Sequence, residues 1–200
     1  MTCGEFVLTL DMPANSVAVS PGTPLPTLKL VDLDGAPFDL STLPPNRPLV
    51  VAFLAPHCPY VEHIRRSFAD FAREAVSRGA NVIAINSNDL DQFPQDGPEG
   101  MKREIREGNY EFPYLLDPSQ ETALAMEAAC TPDFFIFSRE HTLVYHGQYD
   151  GSRRWSTSPV TGKDLRNGLE AALEGIEYKG VPMLHAGCSI KWKPGNDPND

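Results

Sequence analysis

Cys58 stands between His57 and Pro59 in the run Phe53-Leu-Ala-Pro-His-Cys-Pro-Tyr-Val61. The residues before it are apolar, and the apolar residues after it recur at threes and fours. The cysteine therefore falls where a buried strand hands over to a helix. A helix N-terminus offers unpaired N–H groups and the positive end of the macrodipole. Both favour a thiolate over a thiol, so Cys58 is expected to have a lowered pKa and to be nucleophilic near neutral pH. His57 adds positive charge when protonated. Pro59 suits the first helical position, whose N–H is unpaired in any case. The plainer reading is a buried cysteine behaving as a small hydrophobe; the histidine and proline at this junction favour the reactive one.

Three further cysteines could meet Cys58. Cys130 comes two residues before Pro132, Cys188 lies in an otherwise polar tail, and Cys3 lies in an N-terminal arm. Each is either a partner thiol or a spare one. Cys188 ranks slightly above Cys130, because a cysteine in a polar tail gains little from burial. Arg153 and Arg154 are candidates to stabilise a thiolate or a developing oxyanion, or are solvated loop charges. Asn86, Asn88 and Asp89 end a strand, where ligand contacts gather in open α/β sheets; they serve equally well as turn and capping residues. Metal binding is the rival chemistry: His57, Cys58 and His63 are close in sequence, and His185-x-x-Cys188 has a ligand-like spacing. The chain holds no Cys-x-x-Cys, and two separate pairs would have to meet in space, so no metal is expected; no cofactor is expected either. His141 and His146 flank a hairpin and read as surface residues. Trp155 and Trp192 read as loop anchors. There is no phosphate-binding glycine loop and no Gly-x-Ser-x-Gly element.

The elements that must position these residues can be read from periodicity. Leu49–Leu54 is a continuous apolar run, the mark of a strand buried on both faces of a parallel sheet. A helix follows over about 59–78, with Val61, Ile64, Phe68, Phe71, Ala72 and Ala75 on one side and Gly79 to end it. Asn81–Asn86 is a second buried strand, completing a βαβ unit. A short helix is expected at 99–107, a strand at Tyr114–Leu116 and a helix at 120–128. An antiparallel hairpin pairs Asp133–Phe137 with a strand over 143–149. A last amphipathic helix spans 162–174. Upstream, Asp34-Gly35 between alternating runs predicts a hairpin of Leu28–Leu33 with Pro37–Leu40, and Phe6–Leu10 reads as a short strand. The sum is an α/β domain over residues 27–175, a central mixed sheet flanked by helices. Residues 1–26 form an arm, and residues 176–200 a tail that packs on the domain.

Composition excludes several classes. The 200 residues carry 17 Lys+Arg against 27 Asp+Glu, a net charge of −10. So acidic a chain is a poor match for nucleic acid or an anionic membrane. No apolar run approaches the roughly 20 residues that cross a bilayer. The first residues lack the features of a signal peptide, which points to a cytoplasmic protein. Four cysteines are too few for a disulfide scaffold.

The Cys58 run resembles the thioredoxin pattern Phe-Trp-Ala-x-Trp-Cys-Gly-Pro-Cys without a gap, Cys58 falling on the attacking cysteine and Val61 on the second. Thr131-Pro132 falls where thioredoxin-like folds carry a cis-proline facing the active cysteine. Over nearly the whole chain the sequence is similar to the peroxiredoxin-like branch of the alkyl hydroperoxide reductase/thiol-specific antioxidant (AhpC/TSA) superfamily. The blocks are His57-Cys-Pro-Tyr-Val61, Ala84-Ile-Asn-Ser-Asn-Asp89, Cys130-Thr-Pro-Asp-Phe-Phe135, Gly147-Gln-Tyr-Asp150, Pro159-Val-Thr-Gly-Lys-Asp-Leu165 and Gly187-Cys-Ser-Ile-Lys-Trp-Lys-Pro-Gly-Asn196. Many members read Cys-x-x-Cys with the first cysteine where this chain has Ala55. The peroxiredoxin signature Pro-x-x-x-Thr-x-x-Cys would need Pro at 51 and Thr at 55, where this chain has Val51 and Ala55.

The resemblance implies a thioredoxin-like fold and thiol-based redox chemistry at Cys58. Thr131 and Pro132 shape the substrate groove, His57 and Arg153 supply charge, and Cys188, Cys130 or an external thiol resolves the oxidised state. The expected partners are a disulfide-containing protein or a small thiol or peroxide, and a thioredoxin-like or glutathione-like reductant. A homodimer is compatible with this reading. The competing expectation is a non-catalytic thioredoxin-like binding or redox-sensing module, for which Val61 and Ala55 speak.

Overall fold

Leu49-Val-Val-Ala-Phe53 is buried at every position because both of its faces are covered. In the computed structural model the described residues are 14–15, 19–180, 183 and 186–198. In chain order their elements are β1 (Ala14–Asn15), β2 (Leu49–Phe53), α1 (Pro59–Ser77), β3 (Asn81–Asn86), α2 (Pro98–Gly108), β4 (Tyr114–Leu116), α3 (Glu121–Ala125), β5 (Cys130–Thr131), β6 (Asp133–Phe137), β7 (Leu143–Gly147), α4 (Lys163–Glu174) and β8 (Ala186–Ser189). Short 3-10 turns stand at Leu40–Thr42 and Pro94–Asp96.

The main sheet has the order β4-β3-β2-β6-β7. β2, β3 and β4 run parallel, with Leu49 opposite Asn81 and Ala84 opposite Tyr114. β6 runs antiparallel to β2 and to β7, which makes the sheet mixed. Successive strand side chains point to opposite faces, and the core divides accordingly. Val50, Ala52 and Leu54 join Phe68, Phe71, Leu165 and Leu169 on the face covered by α1 and α4. Leu49, Val51 and Phe53 join Ile83, Ile85, Phe135, Ala123 and Ile190 on the other. Trp192 packs against this second cluster. A second, smaller sheet has the order β1-β8-β5; periodicity gave no sign of it, since its strands are two to four residues long.

The connection from β2 to β3 is the expected helix. Its apolar stripe faces the core, and Gly79, at φ 89°, reverses the chain after Ser77 in a conformation that costs glycine little.

Three local expectations are corrected. The Asp34-Gly35 turn forms, with Asp32 Oδ1 accepting the N–H groups of Asp34 and Ala36 at 2.9 Å each. Its arms pair antiparallel around Val31 and Pro37 alone, with Asp32 N–H donating to Ala36 O and Phe38 N–H to Leu30 O at 2.9 Å each, so the expected hairpin is one bridge long. Val31 turns its own N–H and C=O away from Pro37 and exchanges both bonds with Leu116 of β4. His146 is buried, not superficial: its ring stacks on Phe135 at 4.0 Å and its Nε2 lies 3.0 Å from Asp133 Oδ1. Trp155 is 85% exposed and anchors no loop among the described residues, its ring meeting the Arg154 guanidinium 4.9 Å from its centre. The strand expected at Phe6–Leu10, Cys3 and His185 lie outside the described residues.

Candidate active site

Cys58 is the N-cap residue of α1, with Pro59 in the first turn. Its side chain makes no capping bond to the helix. The chain enters through Cys58 N–H donating to Ala55 O at 3.1 Å and leaves with Glu62 N–H donating to Cys58 O at 3.0 Å. The sulfur is fully buried. It donates to the carbonyl of Thr131 at 3.1 Å, and the Thr131–Pro132 peptide is cis.

Among the described residues, Cys188 brings its sulfur against Cys58. Its Sγ lies 3.1 Å from Cys58 Sγ, beyond the 2.03–2.05 Å typical of a disulfide but in direct contact. The register of the small sheet explains the choice among thiols. Thr131 stands opposite Cys188, and Cys130 opposite Ser189. Directly opposed residues share a face, so Cys188 joins Thr131 on the side of Cys58. Cys130 takes the other face and donates to Pro132 O at 3.8 Å.

The surroundings favour the thiolate. Burial by itself raises the Cys58 pKa. Against it act the Cys188 thiol, the Thr131 side chain and the N–H groups of Val61 and Tyr60, and the balance brings the pKa down to about 6. The Thr131 hydroxyl is buried without a partner while Cys58 is a thiol, so it is a ready donor to the anion. Hydrogen bonds to the charged form are what depress a buried acid.

His57 is tied down beside Cys58. Its Nδ1 lies 2.7 and 2.6 Å from the two carboxylate oxygens of Asp96, and its backbone N–H donates to the same carboxylate at 3.1 Å. The hydrogen bond that Asp96 accepts from the ring raises the His57 pKa, opposed by burial and by Lys191. Asp96 is fully buried at the end of its 3-10 turn. Asn88 Nδ2 donates to its Oδ2 at 2.8 Å, and Asn86 Nδ2 to its carbonyl at 2.7 Å. Asn86 and Asn88 thus build the site from behind, while Asp89 accepts from Asp91 N–H and Gln92. Nothing in the sequence marks Asp96, which sits in a polar loop 39 residues from His57.

Glu104 of α2 was likewise not legible. Burial pushes its pKa up to about 7, and the hydroxyls of Tyr110 and Tyr114 donate to its two oxygens at 3.1 and 3.0 Å.

Arg153 is engaged elsewhere. It donates to Asp150 O, Ser152 O and Gln148 Oε1 at 3.0, 2.7 and 2.9 Å, all in its own loop. His63 meets Ser152 Oγ at 3.1 Å. Among the described residues no three His, Cys, Asp or Glu side chains form a metal-ligating group. No helix among them is long and apolar enough to cross a membrane.

The AhpC/TSA family model matches residues 21–146. A hypothetical protein of Sinorhizobium meliloti 1021 is 41% identical with a TM-score of 0.86, the match covering 90% of this chain and 99% of that one. An uncharacterized conserved protein of Geobacillus kaustophilus gives the same identity and TM-score, over 92% of this chain and 97% of that one. A secreted Mycobacterium tuberculosis disulfide oxidoreductase homologous to E. coli DsbE is 19% identical with a TM-score of 0.53, covering 72% and 95%. This last likeness is one of fold, and the fold is thioredoxin-like. Among curated proteins, none matches the sequence.

Proposed function

The chain belongs to the AhpC/TSA family, and we propose that it is a thiol-based oxidoreductase that cycles between a Cys58/Cys188 dithiol and a Cys58–Cys188 disulfide. The observation that carries this reading is the 3.1 Å contact between the two sulfurs at a helix N-terminus. The Cys58 thiolate attacks one sulfur of a substrate disulfide, R–S–S–R′. A Cys58–S–R bond forms, the S–S bond of the substrate breaks, and R′S⁻ leaves and takes a proton. Cys188 then attacks Cys58 Sγ, its own proton passing to the departing RS⁻. The substrate has become two thiols and the protein a disulfide. A thioredoxin-like dithiol, or two equivalents of a glutathione-like thiol, restores the reduced enzyme by the reverse exchange.

Disulfide exchange is favoured over peroxide reduction by two features. Ala55 offers no hydroxyl at the position of the peroxiredoxin threonine, and Arg153 spends its donors within its own loop. Burial of Cys58 favours a small or extended disulfide over a bulky one. Pro132 and Thr131 line the approach to the sulfur.

Treating the reduced protein with one equivalent of an aliphatic disulfide, and separately of hydrogen peroxide, followed by peptide mass mapping, tests the proposal. A Cys58–Cys188 linked peptide formed faster with the disulfide supports it. A Cys58 that reacts no faster than a free thiol with either reagent overturns it in favour of a binding or sensing module. Faster reaction with peroxide moves the function to peroxidase.

A further inference from the structure

We infer that His57 and Asp96 form a proton-delivery pair for Cys58, in which Asp96 positions the His57 ring and the outer ring nitrogen of His57 protonates the thiolate that leaves when Cys58 opens a substrate disulfide. The inference rests on the disulfide-exchange reading above and names the residue that completes its first step.

The geometry is that of an oriented base. Asp96 holds both the backbone N–H and Nδ1 of His57, so the ring and the residue preceding the nucleophile move as one unit. A carboxylate on Nδ1 keeps a proton there and leaves Nε2 as the exchanging nitrogen. Asp96 itself is fixed by Asn88 and Asn86, and the other side of Asn88 accepts the backbone N–H of Lys191 at 2.9 Å. That places one amide between the histidine's anchor and the segment that follows β8, the strand carrying Cys188. Phe93 stacks on the ring, 5.8 Å between centres and 7° from parallel. The His57 side chain is 27% exposed while Asp96 is 0% exposed. One edge of the imidazole is therefore locked inside and the other reaches water, from which the proton is replaced.

Three charged groups face His57. Asp96 from the 3-10 turn and the Cys58 thiolate from α1 favour its protonated form, and Lys191 from the tail opposes it. The step balances as Cys58–S⁻ with R–S–S–R′ and imidazolium giving Cys58–S–S–R, R′SH and neutral imidazole. Thiolates of aliphatic thiols, with pKa near 8.5, need this proton. Iodide and an arenethiolate of low pKa do not.

The test compares three electrophiles on the full-length protein and on His57→Gln and Asp96→Asn: iodoacetamide, an aromatic disulfide with a weakly basic leaving thiolate, and hydroxyethyl disulfide. Rates are normalised to the Cys58 thiolate fraction, read from thiolate absorbance. The expected result is a selective loss with hydroxyethyl disulfide, about a hundredfold, the lower end of what general acid catalysis contributes, with the other two rates little changed. For that substrate alone, the wild-type rate falls as pH rises past the His57 pKa, and Asp96→Asn moves the fall to lower pH. His57→Gln, altering a side chain that is 27% exposed, keeps the test open should the buried Asp96 variant fold poorly. Equal slowing with all three reagents, or a falling limb that Asp96→Asn does not move, overturns the pair as a proton donor and leaves it a loop tie. A wild-type Cys58 with free-thiol reactivity throughout overturns the disulfide-exchange reading instead, and this inference with it.

Discussion

The sulfur of Cys58 touches the sulfur of Cys188 at 3.1 Å across 130 residues of chain, and the contact is set by a two-residue strand. β5 presents Thr131 and β8 presents Cys188 to the same side, so a one-residue slip in this register would replace Cys188 by a neighbour. The whole dithiol depends on that pairing. Its consequences are open to measurement.

The Cys58 pKa of about 6 predicts that iodoacetamide alkylation of the wild type rises with a midpoint near pH 6, not near the 8.5 of a free thiol. Cys188→Ala removes one of the donors and moves the midpoint upward. A midpoint unchanged by this substitution would show that Cys188 does not stabilise the anion. A depressed acid contributes stability that is present above the free-thiol pKa of about 8.5 and is lost as pH falls through about 6.

Cys188→Ser and Cys130→Ser should behave differently. The first leaves Cys58 trapped as a mixed disulfide after reaction with a small disulfide, detected as a mass increase on the Cys58 peptide. The second forms the Cys58–Cys188 link at close to the wild-type rate, because Cys130 lies on the far face of β5. Loss of the link in Cys130→Ser would contradict the assignment of partners.

Glu104 carries a pKa raised to about 7 by burial. A carboxyl raised above its unfolded pKa of 4.5 contributes stability that is full below 4.5 and is lost as pH rises through about 7. Glu104→Gln should therefore flatten the decline in urea midpoint between pH 4.5 and 8. His57 also has a raised pKa, so its contribution is full below 6.5 and is lost as pH rises through the higher folded value. Asp96→Asn should remove that part, read from the same denaturation series.

Phe68 is the hub of the helix-side core. Its ring centre lies 5.3 to 6.4 Å from those of Phe71, Tyr110, Phe112, Phe134 and Tyr149. Phe68→Ala should cost about 3–5 kcal/mol, seen as a lower denaturant midpoint at unchanged slope. A cost below about 1 kcal/mol would mean that the cavity collapses freely.

Local pattern made much of this protein legible. The run over 49–54 and the short strands β3 and β4 follow from continuous apolar stretches, since a strand covered on both faces is buried at nearly every position, and the stripe on α1 follows from burial repeating every 3.6 residues. Cys58 at the N-cap of α1 follows from Pro59 and the switch of period beside it. Some expectations were lost to competition between distant segments. The Leu28–Leu40 hairpin is shortened to a single bridge, whose outer edge at Val31 bonds Leu116, 85 positions on. His146 went inside because Asp133 lies 13 residues away to receive it. Arg153 turned to carbonyls of its own loop.

The amino-acid sequence by itself determined that a cysteine would sit at the junction of a buried strand and a helix, because those choices are made by neighbours along the chain. Tertiary structure alone decided which sulfur meets it and which carboxylate holds the adjacent histidine. Those choices rest on the β5–β8 register and on the closure of the loop at Asp96, contacts whose partners are far apart in sequence and leave no period to read.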